Sequence, residues 1–115
     1  MRNRLIWVLA LALALMTLVT GCGSKDVDAL RVGMEAGYAP FNWTQLDDAN
    51  GAVPIEGSAE YAGGYDVEIA KRIAAGLGKE LVIVKTEWSG LEMALNSGKI
   101  DVIIAGMSPT AERAE

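Results

Sequence analysis

Ile100-Asp101-Val102-Ile103-Ile104-Ala105-Gly106-Met107-Ser108-Pro109-Thr110-Ala111-Glu112-Arg113 is the stretch on which the fold turns. The unbroken apolar run Val102–Ala105 has the character of a strand buried on both faces, and Gly106 ends it. Pro109 rules out a continuing inner strand. Thr110 can cap a new helix by accepting from a backbone N–H, so the segment reads as a strand-turn-helix corner. Such a corner brings free N–H groups, the Ser108 hydroxyl and the Arg113 guanidinium to one small volume, which suits a carboxylate. An ordinary turn with a solvated Arg fits the same residues.

Working outward, the chain alternates strand and helix. Leu30–Met34 alternates apolar and other residues, as a first strand does, and stops at Glu35-Ala36-Gly37-Tyr38-Ala39-Pro40-Phe41. Thr44–Gly64 is turn-rich and reads as a small excursion with a hairpin turn at Asn50-Gly51. Asp66 is placed to cap a helix through about Leu77, burying Ile69, Ala70, Ile73, Ala74 and Leu77, with Gly76 or Gly78 as its stop. Leu81–Val84 is a second buried strand that ends near Trp88. Ser89 can cap a shorter helix carrying Leu91, Ala94 and Leu95, stopped by Gly98, and the strand Ile100–Ala105 follows.

This order predicts an α/β fold: a parallel sheet with right-handed crossovers and flanking helices. With the first strand between the other two (order 2-1-3), the connections diverge beside it, and open α/β sheets bind ligands at such a point outside the carboxyl ends of the strands. Three segments leave those ends: Glu35–Phe41, Thr86–Trp88 and Gly106–Arg113. Together they supply a carboxylate (Glu35), two aromatics (Tyr38, Trp88), a hydroxyl with backbone amides (Ser108) and a guanidinium (Arg113). Arg113 can grip the carboxylate of an amino acid in a two-pronged geometry with Ser108 beside it, and the Gly106 carbonyl can accept from the ammonium. Tyr38 and Trp88 can flank the ligand side chain, and Glu35 can pair with a basic one. Each also has a plainer reading: Trp88 as a core aromatic, Tyr38 as loop packing, Glu35 as a solvated loop residue.

Composition excludes several classes. The 115 residues carry no His, one Cys and a formal charge of −5. A net acidic chain without a basic cluster is a poor nucleic-acid binder. Without His there is no Cys/His zinc site and no imidazole base. Lys79 follows Gly78 but precedes Glu80, so there is no phosphate loop, and Asp48-Ala49-Asn50-Gly51 lacks the outer ligands of a calcium loop. No cofactor or metal is expected.

Residues 1–21 read as a signal peptide. Arg2 and Arg4 precede an apolar core, Leu5–Val19, which reaches roughly 22 Å as a helix, short of the ~30 Å hydrocarbon layer. Its removal takes two of the ten Lys and Arg against fifteen Asp and Glu, leaving a more acidic remainder. Val19-Thr20-Gly21-Cys22 resembles the lipobox of bacterial lipoproteins, with Val19 in place of the more usual Leu. That resemblance implies diacylation of Cys22 and anchoring to the outer face of the cytoplasmic membrane, for which two chains suffice. A plain secretory signal with an incidental thiol is the alternative. Residues 22–29 then form a lipid-anchored linker and 30–115 the folded domain.

Four blocks in order, Glu35–Phe41, Gly64–Ala70, Glu87-Trp88-Ser89-Gly90-Leu91 and Ile103–Arg113, resemble the extracytoplasmic solute-binding proteins of polar amino-acid ABC transporters. The resemblance implies part of lobe 1 of a periplasmic-binding-protein-like type II fold, in a two-lobed receptor that closes on an amino acid and delivers it to a membrane permease. It implies carboxylate binding by Arg113 and Ser108, an ammonium contact at Gly106, stacking on Tyr38 and Trp88, and an acidic reader of ligand polarity at Glu35. The second lobe is missing from this sequence, as in a truncated product or partial sequence, and a half-site is expected to bind weakly or not at all. Rival readings are a lobe of a cell-wall lytic or dehydratase-like enzyme, or a non-functional fragment. A Ser hydrolase is disfavoured, because Gly106-Met107-Ser108-Pro109-Thr110 ends in Thr where the nucleophile elbow has Gly.

Overall fold

The computed structural model describes residues 28–114. The signal segment, Cys22 and the tether through residue 27 lie outside the described residues. The elements, in chain order, are β1 (Ala29–Met34), β2 (Gly37–Tyr38), β3 (Asn42–Gln45), β4 (Val53–Pro54), β5 (Tyr61–Gly63), α1 (Tyr65–Leu77), β6 (Glu80–Lys85), α2 (Leu91–Asn96) and β7 (Val102–Ile103). Folded structure starts slightly earlier than the expected boundary at 30. Ala29 opens β1, and the Asp28 carbonyl accepts from the Glu80 N–H at 3.1 Å.

A parallel sheet is ordered β6-β1-β7, with β1 in register from Ala29↔Glu80 to Met34↔Lys85 on one side and through Val32↔Val102 and Gly33↔Ile103 on the other. This is the expected 2-1-3 order. Both pairings are parallel, which puts all three carboxyl ends on one side of the sheet. The core lies around β1, where Val32 and Met34 are fully buried with Ile83, Leu91 and Ile100. Gly33 lets α2 and the approach to β7 come close: a Cβ there would stand 2.3 Å from Ile100 Cδ1.

Several expectations need correction. Val102–Ala105 is not buried on both faces. Val102, Ile103 and Ile104 are half-buried and the strand is two residues long, because β7 is the outer strand of the described sheet. Asp66 does not cap α1. Gly64, at φ +120, precedes the helix, and Asp66 sits in its first turn at 4% exposure, accepting from Asn42 Nδ2 at 2.8 Å. The buried stripe of α1 is Val67, Ala70 and Ala74, while Ile73 and Leu77 are exposed. Alanines let the helix axis approach the sheet, so a narrow strip is covered and the larger side chains lie at its rim. Gly78, in the left-handed region at φ +66, is the stop, and Gly76 lies inside the helix. Ser89 belongs to a 3-10 turn, Trp88–Gly90, and Gly90 is the residue before α2.

Thr44–Gly64 is more than an excursion. A four-stranded antiparallel sheet, ordered β2-β3-β5-β4, runs through it. Asn50 and Gly51 do take positive φ. Yet β3 and β4 both pair with β5, so the tight hairpin lies between β4 and β5, where Ile55 N–H donates to Glu60 O at 2.9 Å. Ile55 then bridges to Ile83 and the Glu56 N–H donates to Ile83 O at 2.9 Å, joining the small sheet to the outer edge of β6.

Candidate functional site

Each carboxyl end of the parallel sheet delivers one wall of a cleft. Past β1 the chain passes Glu35, turns at Ala36 (φ +55) and enters β2, which holds Tyr38 opposite Asn42. A turn bond from Phe41 N–H to Tyr38 O, 2.9 Å, folds Phe41 back so that its ring stacks on Tyr38 with centroids 5.1 Å apart. The first free N–H groups of α1 hold this loop: Tyr65 N–H donates to Pro40 O at 3.3 Å and Asp66 N–H to Phe41 O at 2.8 Å. Past β6, Trp88 opens the 3-10 turn and is 40% exposed, while Tyr38 is 50% exposed. Both rings therefore lie at the surface and not in the core.

Past β7, Gly106 takes φ +61, and a Cβ on it would stand 3.1 Å from Tyr38 Cδ1 and Cε1 and from Phe41 Cγ. Any side chain here would press the ring pair to give by a few tenths of an ångström, at a positive φ that favours glycine. Downstream, the Thr110 hydroxyl accepts from Arg113 N–H at 3.2 Å, the capping role its position suggests, over a single 3-10 turn, Glu112–Ala114. The Arg113 side chain folds back. Its Nη1 donates to the Ser108 carbonyl at 2.8 Å, and its Cζ lies 5.7 Å from the Trp88 ring centroid. That bond uses one of five guanidinium donors.

Glu35, Tyr38, Trp88, Gly106, Ser108 and Arg113 line one cleft of about 330 Å³. A carboxylate, a guanidinium and two ring faces in that volume match the ends and side chain of an amino acid with a basic group. Two neighbours escaped the sequence reading. Phe41 backs Tyr38 and Gly106, and its place after Pro40 in an aromatic loop was a usable signal. Thr44 donates from its hydroxyl to Ala36 O at 2.8 Å, and nothing local in the sequence points to it. Among the described residues no group of three or more His, Cys, Asp or Glu could hold a metal, and no helix is long and apolar enough to cross a membrane.

The sequence profile of bacterial extracellular solute-binding proteins, family 3, matches residues 30–115. The arginine-binding extracellular protein ArtP of Bacillus subtilis is 32% identical over 114 residues, covering 93% of this chain and 40% of that protein. The cyclohexadienyl dehydratase of Pseudomonas aeruginosa is 32% identical over 84 residues, 73% of this chain and 27% of the enzyme. In structure, the arginine-bound domain 1 from TmArgBP, of T. maritima, aligns with a TM-score of 0.61 at 41% identity, over 76% of this chain and 60% of that domain. The parallel sheet and its flanking helices are thus those of a first lobe, and the chain spans about 40% of the length of ArtP. With its matched span running from β1 to beyond Arg113, the chain belongs to the bacterial extracellular solute-binding proteins of family 3.

Proposed function

We infer that this chain carries the first-lobe half of an amino-acid site and serves as the substrate-binding component of an ABC importer, capturing a free amino acid outside the cytoplasmic membrane for a permease. Arg113 and Ser108 take the ligand carboxylate, and the Gly106 carbonyl takes the ammonium. Tyr38 and Trp88 enclose the side chain, and Glu35 answers its charge. Cys22 is the lipid attachment point that keeps the receptor at the membrane surface. A basic amino acid fits best, since the cleft pairs an acidic group with two ring faces. The names of ArtP and of the TmArgBP domain, both arginine binders, support that reading.

The observation that carries it is the convergence of six residues from three separate segments on one cleft, with opposite charges at Glu35 and Arg113. An isolated first domain is described in arginine-bound form for TmArgBP, so a half-site can hold arginine in that relative. Here we expect weak, saturable binding, with Kd on the order of 0.1 to 1 mM, about −4 to −5.5 kcal/mol. Titration of the 115-residue chain in detergent micelles with arginine, lysine, glutamine and glutamate, followed by NMR, tests this. Saturable shifts at Tyr38 and Trp88 with basic ligands support it, and their absence up to about 10 mM overturns it. A dehydratase-like use of the lobe has the Pseudomonas aeruginosa enzyme behind it. Binding without turnover would set that reading aside.

A further inference from the structure

Ala36 is 3% exposed and holds φ +55, a conformation that non-glycine residues seldom adopt and that neighbouring structure must enforce. It lies between the two cleft residues of its loop, Glu35 and Tyr38, at the point where parallel β1 hands over to antiparallel β2. Its carbonyl accepts from the Thr44 hydroxyl at 2.8 Å. That same hydroxyl accepts from Lys85 Nζ at 3.0 Å, and Lys85 Nζ lies 3.9 Å from Glu60 Oε2. A hydroxyl can donate once and accept at the same time, and here it does both.

The geometry joins parts of the molecule that are far apart in sequence. Thr44 stands in β3, fixed by its register with Ala62 on β5. Lys85 is the last residue of β6, three positions before Trp88. One side chain thus ties the Glu35–Tyr38 wall to the end of the strand that delivers the Trp88 wall. We propose that Thr44 is a positioning residue: its hydroxyl holds the Ala36 turn so that Glu35 faces the cleft at the depth a cationic ligand side chain needs, and so sets selectivity between charged and neutral ligands of equal shape. This rests on the cleft being an amino-acid site. A group held loosely by an unsupported shell loses geometric precision before it loses its presence, so the expected defect is in discrimination more than in folding.

Thr44→Val keeps the shape and removes the hydroxyl, and Thr44→Ser restores it. In the 115-residue chain, amide hydrogen exchange across Glu35–Tyr38 should quicken roughly tenfold in Thr44→Val, with Val32 and Gly33 in the centre of β1 unchanged and Thr44→Ser near the parent. The arginine preference over citrulline, its uncharged near-isostere, should shrink severalfold in Thr44→Val. In a Glu35→Gln background the same change should shift that ratio no further. Unaltered exchange across Glu35–Tyr38, equal quickening throughout β1, or an intact arginine-to-citrulline ratio would each overturn the proposal. Should the parent chain bind neither ligand, the amino-acid reading itself fails, and the selectivity role falls with it. The exchange data would then still decide whether the hydroxyl orders the turn.

Discussion

The Arg113 guanidinium lies over the Trp88 indole, its Cζ 5.7 Å from the ring centroid, while its Nη1 is tied to the Ser108 carbonyl. The two side chains come from segments that follow different strands, β7 and β6. Their meeting expresses the parallel topology, because β6 and β7 both run parallel to β1 between them and release their following segments at one edge. A guanidinium held on a ring face and by its own backbone is oriented before any ligand arrives, which lowers the ordering cost of the carboxylate grip proposed for it. Stacking at such an exposed position contributes about 0.5–1 kcal/mol.

Arg113→Lys tests that preorganisation. Lysine keeps the charge but loses the planar fork and the matched pair of donors. Loss of a charge-assisted bond costs about 1.5–3 kcal/mol, so arginine affinity should drop roughly 10- to 100-fold. Arg113 is exposed, and the melting temperature should move by no more than about 2 °C. Parent-like affinity in an NMR titration would remove Arg113 from the site.

Gly106→Ala attacks the opposite wall. It places a Cβ 3.1 Å from two Tyr38 ring carbons and Phe41 Cγ, at a φ of +61 that alanine resists. Backbone strain and crowding together should destabilise the chain by about 1–3 kcal/mol in urea unfolding. The rings are the mobile partners, so Tyr38 should shift and ligand affinity should decline as well. A variant with unchanged stability and unchanged Tyr38 resonances would show that the close approach carries no consequence.

How far the sequence announced this arrangement varies by region. Leu81–Val84, bounded by Gly78 and Trp88, announced a buried strand, and the order of elements then implied which loops meet. The cleft was therefore legible, since topology, more than any single residue, brings Glu35, Trp88 and Arg113 together. The antiparallel sheet was not. Val53-Pro54 and Tyr61–Gly63 are too short to show alternation, and their stability comes from pairings such as Ile55 with Ile83, 28 positions away, that leave no local trace. Local rules cast Asp66 as a helix cap, yet a donor on Asn42 engages its side chain. The same blindness hid Thr44, whose role exists only once β3 lies against the Ala36 turn.

The junction between the two sheets predicts a pH dependence. Arg31, on β1, reaches Glu56 with two bonds, Nη1 to Oε1 at 3.0 Å and Nη2 to Oε2 at 2.5 Å, while its Nε donates to Lys99 O at 2.9 Å. The hydrogen bond from Arg31 holds the Glu56 carboxyl below its ordinary value, with partial burial opposing and the Arg31 charge assisting. A folded-state pKa below the unfolded one means that this stabilisation is complete above the unfolded value, near 4.5, and disappears as pH falls through the folded value. With both side chains partly solvated the contribution is about 0.5–1 kcal/mol. Glu56→Gln should therefore be less stable than the parent at pH 7 by that amount, and the gap should close as pH falls below about 4. A gap constant between pH 7 and pH 3 in urea unfolding would contradict the assignment.

Asn42 and Asp66 set the last test, because their contact fastens the aromatic loop to α1 from beneath. Asn42 is fully buried, its Nδ2 donates to Asp66 Oδ2 at 2.8 Å, and its Oδ1 has no partner among the described residues. Removing a donor from a buried carboxylate leaves that group desolvated and unpaired, which costs more than the bond itself contributed. Asn42→Ala should lower stability by about 2–4 kcal/mol, of which the carboxylate left without its donor is the larger part. Asp66→Asn keeps shape and polarity while giving up the charge that favours a helix N-terminus, and should cost about 1 kcal/mol or less. Once Asp66 is neutral, Asn42→Ala should become cheaper by more than about 1 kcal/mol, since no buried charge is then stranded. Additive costs in that double-mutant cycle would mean that Asn42 matters through its packing alone. Tyr38, paired with Asn42 across β2 and β3, would then owe its position to the strand register and not to the buried pair.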